Sequence, residues 1–475
     1  MTGKKPLVVI WHRNDLRVSD HAPLAAAQKE GASVVGLFIW SPEEAGEARI
    51  GAAAQWWLHL NLIELEKQYR GADLPFIFRK GNAGELLPRL VEEMGADAVY
   101  WNRCYEAYAV KRDADLKRQL REAGIRTESF NSRLLFEPHT VSSGSGSPYR
   151  VFTPFWKAVR DRTVEKPIES GLGGLAGAEL KVDRGSLEGL GLEPERNWKD
   201  GIRASWEPGE TGAAKALERF LDGAVQEYHT ERDIPAREGT SRLSPYLAVG
   251  AIGPRQVWQA VKSKRGPEGE GDRIFLSEIG WREFAHHILF HFPQTLTQPL
   301  NERFKNFPWE LDRKATRAWQ RGRTGYPIVD AGMRQLWKTG WMHNRVRMIA
   351  GSLLVKHLLQ DWRAGEAWFR DTLIDLDNAS NVLGWQWVGG CGADAAPYFR
   401  VFNPVIQGEK FDPDGVYVRR WVPELEGVPN RYLHKPWEAT TRALGITLGE
   451  DYPLPVIEHK RGRERALAAF ERVKQ

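Results

Sequence analysis

Leu7-Val8-Val9-Ile10-Trp11 and Val34-Val35-Gly36-Leu37-Phe38-Ile39 are short, almost unbroken apolar runs rich in β-branched residues. Runs of this length without polar alternation suit strands buried on both faces, as in a parallel sheet. Pro75-Phe76-Ile77-Phe78 and Ala98-Val99-Tyr100-Trp101 repeat the pattern, and Thr127-Glu128-Ser129-Phe130 is a weaker fifth run. Helical patterns at about 21–30, 50–70, 83–94 and 107–123 separate them. Strands alternating with helices predict a doubly wound α/β domain with a parallel sheet over residues 1–130. His12-Arg13-Asn14-Asp15-Leu16-Arg17 follows the first strand without a glycine fingerprint, so no dinucleotide pyrophosphate is expected there.

Working outward, residues 131–205 are rich in Gly, Ser and Pro and predict a long connector, with a helix start at Val151-Phe152-Thr153-Pro154-Phe155-Trp156. From about 206 to 475 the patterns are mainly helical, for example at 212–222, 254–263, 272–291, 330–338, 342–360 and 462–474. An all-α second domain over 206–475 follows. With 475 residues the chain exceeds one ordinary domain. It has 42% hydrophobic and 27% charged residues, and no apolar run nears the ~18–20 residues that span a bilayer. Met1-Thr2-Gly3-Lys4-Lys5-Pro6 leads into the first strand with no signal-peptide pattern. Cys104 and Cys391, the two cysteines, exclude a disulfide framework and a four-thiolate cluster. A cytoplasmic protein is expected. The net charge of +5 permits a polyanionic partner without requiring one.

Twenty tryptophans are unusual, and 12 of them follow residue 250. Leu and Ile fill space without an N–H to satisfy, so the excess points to stacking or electron transfer, against the plainer reading of a tryptophan-rich core. Trp341-Met342-His343-Asn344-Arg345-Val346-Arg347-Met348 mixes indole, amide and guanidinium groups in a helical pattern. It is followed by Trp362, Asp375, Asp377, Asn381, Trp385 and Trp387. Burying such a mix requires partners, which a large aromatic cofactor with polar edges would supply. Asp375 and Asp377 are expected to pair with Arg345 or Arg347 beside a ligand; no histidine cluster or calcium-loop spacing marks them as metal ligands. Gly239-Thr240-Ser241-Arg242-Leu243-Ser244 ahead of a helix suits a phosphate, or simply an N-cap. Glu278 and Trp281 can share one helical face, and Asn344, Arg345 and Met348 another. Arg400, Asn403, Gln407 and Lys410, interleaved with Phe399 and Phe402 in a loop-like stretch, suit a nucleic-acid backbone or a solvated face.

Together these residues resemble the photolyase/cryptochrome family over nearly the whole chain, most closely bacterial cyclobutane pyrimidine dimer photolyases of class I or III. The motifs are Trp11 to Arg17, Thr240-Ser241-Arg242-Leu243-Ser244, Thr324-Gly325-Tyr326-Pro327-Ile328-Val329-Asp330 and Trp341 to Arg345. Gly384-Trp385-Gln386-Trp387, Asp394-Ala395-Ala396-Pro397-Tyr398-Phe399-Arg400 and Phe402-Asn403-Pro404 complete the series. The resemblance implies a light-driven DNA-repair enzyme with FAD in the helical domain. It implies an antenna in the α/β domain, methenyltetrahydrofolate first and deazaflavin second. By position, Tyr228 and Thr240, Ser241, Arg242, Leu243 and Ser244 would contact the FAD phosphates and ribityl chain. Arg347, Asp375, Asp377 and Asn381 would surround the flavin ring. Trp385, Trp362 and Trp309 would conduct electrons to it. Arg232, Glu278, Trp281, Asn344, Arg345, Met348 and Trp387 would form the lesion pocket and its rim, with Arg400 and Lys410 on the DNA backbone. Glu278 would hydrogen-bond the dimer. The implied partner is UV-damaged DNA, met by a monomer at the bacterial nucleoid. A cryptochrome photoreceptor and a (6-4) photolyase are the alternatives. The first tends to carry Asp at the positions of Asn344 and Asn381 and Tyr at that of Trp387. Animal-type members of the second carry His at the positions of Asn344 and Met348.

Overall fold

The computed structural model describes residues 5–264 and 269–474; Met1 to Lys4, quoted above, lie outside them. Five strands form the expected parallel sheet: β1 (Leu7–His12), β2 (Ser33–Trp40), β3 (Phe76–Lys80), β4 (Ala98–Asn102) and β5 (Arg126–Phe130). Their order is β3-β2-β1-β4-β5. All six residues of β1 are buried, because neighbours pair on both edges: Trp11 lies opposite Leu37 of β2 and Trp101 of β4. Alternation along the strand then divides its side chains. Val8 and Ile10 pack with Leu24 of α1 (Ala22–Lys29) and Trp57 of α2 (Ala52–Gly71). Leu7, Val9 and Trp11 pack with Leu87 and Leu90 of α3 (Ala83–Met94) and Leu116 of α4 (Ala107–Glu122).

The motif after β1 ties the two halves together. The Asp15 carboxylate accepts from the Arg13 N–H at 2.6 Å and the Asn102 amide at 2.7 Å, and lies 3.0 Å from His21 Nε2. Arg17, buried, donates to the Gly250 carbonyl at 2.9 Å across to the helical half. His12, Asp15 and His21 are the one group with metal-ligand spacing among the described residues. Their polar atoms are taken up by these bonds and by Tyr69, 2.8 Å from His12, so the cluster is structural.

The stretch 131–205 is more than a connector. Its Ala176–Gly177 forms β6, parallel to the start of β2, and the Arg184 carbonyl accepts from the Phe78 N–H. Beyond it the chain is helical, as expected, with differences in the elements. The pattern at 342–360 is an α-helix only over Asn344–Ser352, followed by a π turn at Leu353–His357. Its start is set by His343, whose Nδ1 accepts from the Arg345 N–H. The stretch 403–410 is not a loop: Asn403 caps the helix Pro404–Phe411. No helix of the described residues is long and apolar enough to cross a membrane.

Candidate functional site

A cavity of about 560 Å³ opens among the helices Glu270–His291, Asn344–Ser352, Trp362–Thr372 and Asn378–Gly389. Its volume is that of a small-molecule or cofactor pocket. Helical spacing aims the lining: Glu278, Trp281, Arg282 and Ala285 come from the first helix, Asn344, Arg347 and Met348 from the second, and Asn381, Gly384, Trp385 and Val388 from the fourth. One wall is apolar and aromatic, made by Phe369 and Trp385, which meet edge to face with ring centroids 4.9 Å apart.

The floor is ionic. Arg347 Nη2 donates to Asp375 Oδ2 at 2.7 Å, and its Nε donates to the Met342 carbonyl. The same Asp375 oxygen accepts from the Ser244 hydroxyl at 2.7 Å, while Asp375 Oδ1 is buried without a partner. Of the two arginines expected to meet this carboxylate, Arg347 does so and Arg345 does not. Asp377 caps its helix by accepting from the Ser380 N–H, and its other oxygen meets His286 at 2.9 Å and Arg133 at 3.4 Å. Burial pushes Asp377 up, but His286, Arg133 and Arg282 outweigh it and hold the carboxyl well below the usual range. Sequence reasoning missed Arg133, Arg282 and His286, which lie far from Asp377 in the chain.

Asn381 lines the cavity and its Nδ2 donates to the buried Glu366 carboxylate at 2.9 Å. A carboxylate only accepts, so the amide nitrogen must face it and the carbonyl oxygen is left for the cavity. Trp385 rests on Gly365: a Cβ there would lie 2.1 Å from its ring. Gly365 is three residues after Trp362, which is buried in the same helix. The half-buried Trp309 precedes Glu310, whose N–H bonds the Leu359 carbonyl shortly before Trp362. Trp385 thus stands in the cavity wall, Trp362 in the core and Trp309 half-buried.

The rim is charged. Arg232 donates to Glu278 at 2.7 Å, and Arg345 donates to Asp233 through Nε at 3.2 Å and Nη2 at 2.7 Å. Trp281 stacks on Phe152 at 3.9 Å, and Trp387 also lines the cavity. Arg400 and Lys410 are exposed, the latter on the Pro404–Phe411 helix.

Part of the expected phosphate loop lies elsewhere. Only Ser244 of residues 240–244 lines the main cavity. Thr240, Ser241 and Arg242 line a separate cavity of about 580 Å³ with Trp206 and Arg219. The cause is local: Arg242 has φ 51°, a left-handed backbone, and its guanidinium stacks over Trp206 and Trp341 at 4.5 and 5.1 Å. Leu243 is buried, and Tyr228 is packed against Phe220 and Phe275 outside the lining.

A third cavity lies beyond the carboxyl ends of β1, β2 and β4, where ligands of open α/β sheets bind. Trp11, Arg13, Trp40, Ser41, Glu106 and Arg133 face Leu376, Asp377 and Asn378 across it. Arg133 Nε and Nη1, Ser41 Oγ and Asn378 Oδ1 are buried there without partners.

A family model described as the FAD binding domain of DNA photolyase matches residues 275–472, and one described as DNA photolyase matches residues 8–170. The deoxyribodipyrimidine photo-lyase of Agrobacterium fabrum is 47% identical over 480 residues, covering 100% of both chains. Cryptochrome-2 of Arabidopsis thaliana is 38% identical, covering 98% of this chain and 79% of its own length. The crystal structure of a bacterial class III photolyase from Agrobacterium tumefaciens superposes with a TM-score of 0.95 at 46% identity, covering 100% of this chain and 99% of the other.

Proposed function

The chain belongs to the photolyase/cryptochrome family, and on that premise we propose that it is a deoxyribodipyrimidine photo-lyase that repairs cyclobutane pyrimidine dimers in DNA, with FAD in the main cavity. One observation carries the reading. An aromatic wall and a polar floor sit under a mouth that presents two guanidinium groups and two carboxylates. The floor suits a planar heterocycle with a polar edge: Asp375 Oδ1 lacks a donor, and Asn381 offers a carbonyl. The mouth suits a phosphodiester and the edge of a base.

FAD, bound and reduced, supplies a light-excited one-electron donor whose electron returns once the cyclobutane ring has opened, so there is no net redox change. The protein does the rest. Arg400 and Lys410 hold backbone phosphates, and the dimer is extruded into the mouth, where damage makes unstacking cheapest. Trp281 and Trp387 bound the space for the two bases, with Asn344 and Met348 beneath. Glu278 meets their polar edge: as a carboxylate it accepts from a base N–H, and on taking up a proton it donates to the carbonyl where charge develops. Trp385, Trp362 and Trp309 form a row of oxidisable indoles from the cavity wall outward. Ser244 in the main cavity and Thr240, Ser241 and Arg242 in the second would hold the phosphate end of the cofactor, supported from the core by Leu243 and Tyr228.

The third cavity takes the antenna. The free N–H groups of Arg133 and the Ser41 hydroxyl suit the carbonyl and ring-nitrogen edge of a pterin, and the free Asn378 oxygen suits its amino group, so methenyltetrahydrofolate is the first assignment and deazaflavin the second. Absorption spectra of the chromophores released on denaturation decide both cofactors. Chromatography of dimer-containing oligonucleotides after illumination with reduced protein tests the reaction. Splitting of the dimer only in light is the expected result; flavin binding with no splitting would favour a photoreceptor.

A further inference from the structure

Arg232 and Asp233 are consecutive, opposite in charge, and bonded to opposite walls of the main cavity. Arg232 reaches Glu278 on the Glu270–His291 helix, and Asp233 holds Arg345 on the Asn344–Ser352 helix, both at 2.7 Å. All four side chains are partly exposed, between 20% and 34%, so a macromolecule at the mouth can reach them. In the free protein each guanidinium of the mouth is therefore already matched by a carboxylate.

We propose that Asp233 determines specificity. Resting on the DNA-repair reading, it withholds Arg345 from passing phosphates, so that the mouth engages DNA only when a nucleotide is extruded into the cavity. A phosphate of undamaged duplex crossing the mouth gains little, because it must compete with an internal carboxylate and meets the negative charge of Asp233 and Glu278. Building a repulsive element against the wrong partner is a general route to discrimination. Extrusion changes the balance. The displaced backbone brings a phosphate to Arg232, which releases Glu278 toward the inserted bases. Asp233 takes two of the guanidinium nitrogens of Arg345, Nε and Nη2, and leaves Nη1 as the nitrogen it does not occupy. The Phe411 ring, 4.5 Å from that guanidinium, fixes its plane.

Asp233→Asn keeps the size of the side chain and removes the charge. Fluorescence anisotropy with flavin-loaded protein and duplexes with and without one cyclobutane dimer, over a salt series, provides the test. The variant is expected to bind undamaged duplex about tenfold tighter, the scale of one freed charge-assisted contact. Its log–log salt slope on that duplex should steepen by about 0.9, the value for one added phosphate contact. Its preference for the dimer should fall accordingly. The double variant Asp233→Asn/Arg345→Gln should lose both gains, because the effect runs through Arg345. Equal flavin content and melting temperature in the single variant show that it folds. Unchanged or weaker binding of Asp233→Asn to undamaged duplex, with a normal dimer preference in the unaltered protein, overturns the role of Asp233 alone. An unaltered protein with no dimer preference overturns the reading of function instead.

Discussion

The Asn381 amide donates to Glu366 at 2.9 Å, and Glu366 is in turn bonded by Arg370 one helical turn on, so the face that Asn381 shows the cavity is fixed from behind. With its carbonyl forward, Asn381 favours a guest that presents an N–H. A reduced flavin ring does so where the oxidised ring presents a bare nitrogen. Glu366→Gln can donate as well as accept, which permits the amide to flip. We expect the flavin midpoint potential to fall in this variant. The shift should reflect one hydrogen bond, about 1 kcal/mol, or roughly 20 mV for a two-electron couple. Spectroelectrochemical titration measures it, and an unmoved potential would show that Asn381 does not face the reactive edge of the ring.

Gly365 is required by Trp385, whose ring occupies the place of a Cβ. Gly365→Ala forces Trp385 into the cavity or off its rotamer. Overpacking of this kind costs about 1–3 kcal/mol. Lower flavin retention and a lower melting temperature are expected; a variant with unaltered flavin content and stability would mean that the wall can yield.

Trp362 is buried behind that wall without lining the cavity. Trp362→Phe should therefore slow photoreduction of oxidised flavin while chemically pre-reduced protein still splits dimers. Loss of splitting in the pre-reduced variant, with folding and DNA binding intact, would contradict a role confined to electron supply.

The strands were legible because each is covered on both faces, which demands an unbroken apolar run such as that of β1. The helix ends were less so. Nothing in the 342–360 pattern marks the change to a π turn at Leu353, since the apolar face continues through it. At the site, charge alone left Arg345 and Arg347 both open to Asp375, and only the resemblance singled out Arg347, which makes the bond. Glu366 could not be singled out, because its i,i+4 spacing to Arg370 reads as an ordinary helix-surface pair. Which cavity Arg242 faces could not be read from the sequence, because its direction depends on a left-handed backbone, which non-glycine residues seldom adopt.

His21, His287 and His343 are all pushed down to about 4 by burial, and each accepts a backbone N–H, from Leu24, Tyr149 and Arg345, which only an unprotonated ring nitrogen can do. Below the ordinary histidine range near 6.5 the unfolded chain takes up protons that these rings refuse, so stability falls as pH drops from about 6.5 toward 4. Glu283 acts in the opposite sense: burial raises it to about 7, so between 7 and 4.5 the folded state holds a proton that the unfolded chain releases. Among these four groups, three against one leave about two protons, or roughly 2.7 kcal/mol per pH unit, and burial of His357, pushed down to about 3, adds in the same sense as the histidines. Urea midpoints measured at intervals from pH 7 to 4.5 should decline steeply; a flat profile would show that the histidines titrate normally.

The last prediction concerns the lesion. No histidine is among the residues lining the main cavity. Asn344 and Met348 offer an amide and a thioether, neither of which exchanges a proton near neutral pH. Glu278 lines the same cavity, but even when Arg232 releases it no histidine stands beside it there to pass a proton between the two bases. A (6-4) photoproduct needs a proton moved between its two bases during repair, which calls for an acid–base group with a pKa near the working pH. Splitting a cyclobutane ring needs only an electron and a pocket that holds two bases. We therefore expect light-dependent repair of cyclobutane dimers and none of (6-4) photoproducts when oligonucleotides carrying each are illuminated with reduced protein and separated by chromatography. Repair of the (6-4) lesion by the unaltered protein would show that a proton reaches it by another route, and would overturn the assignment.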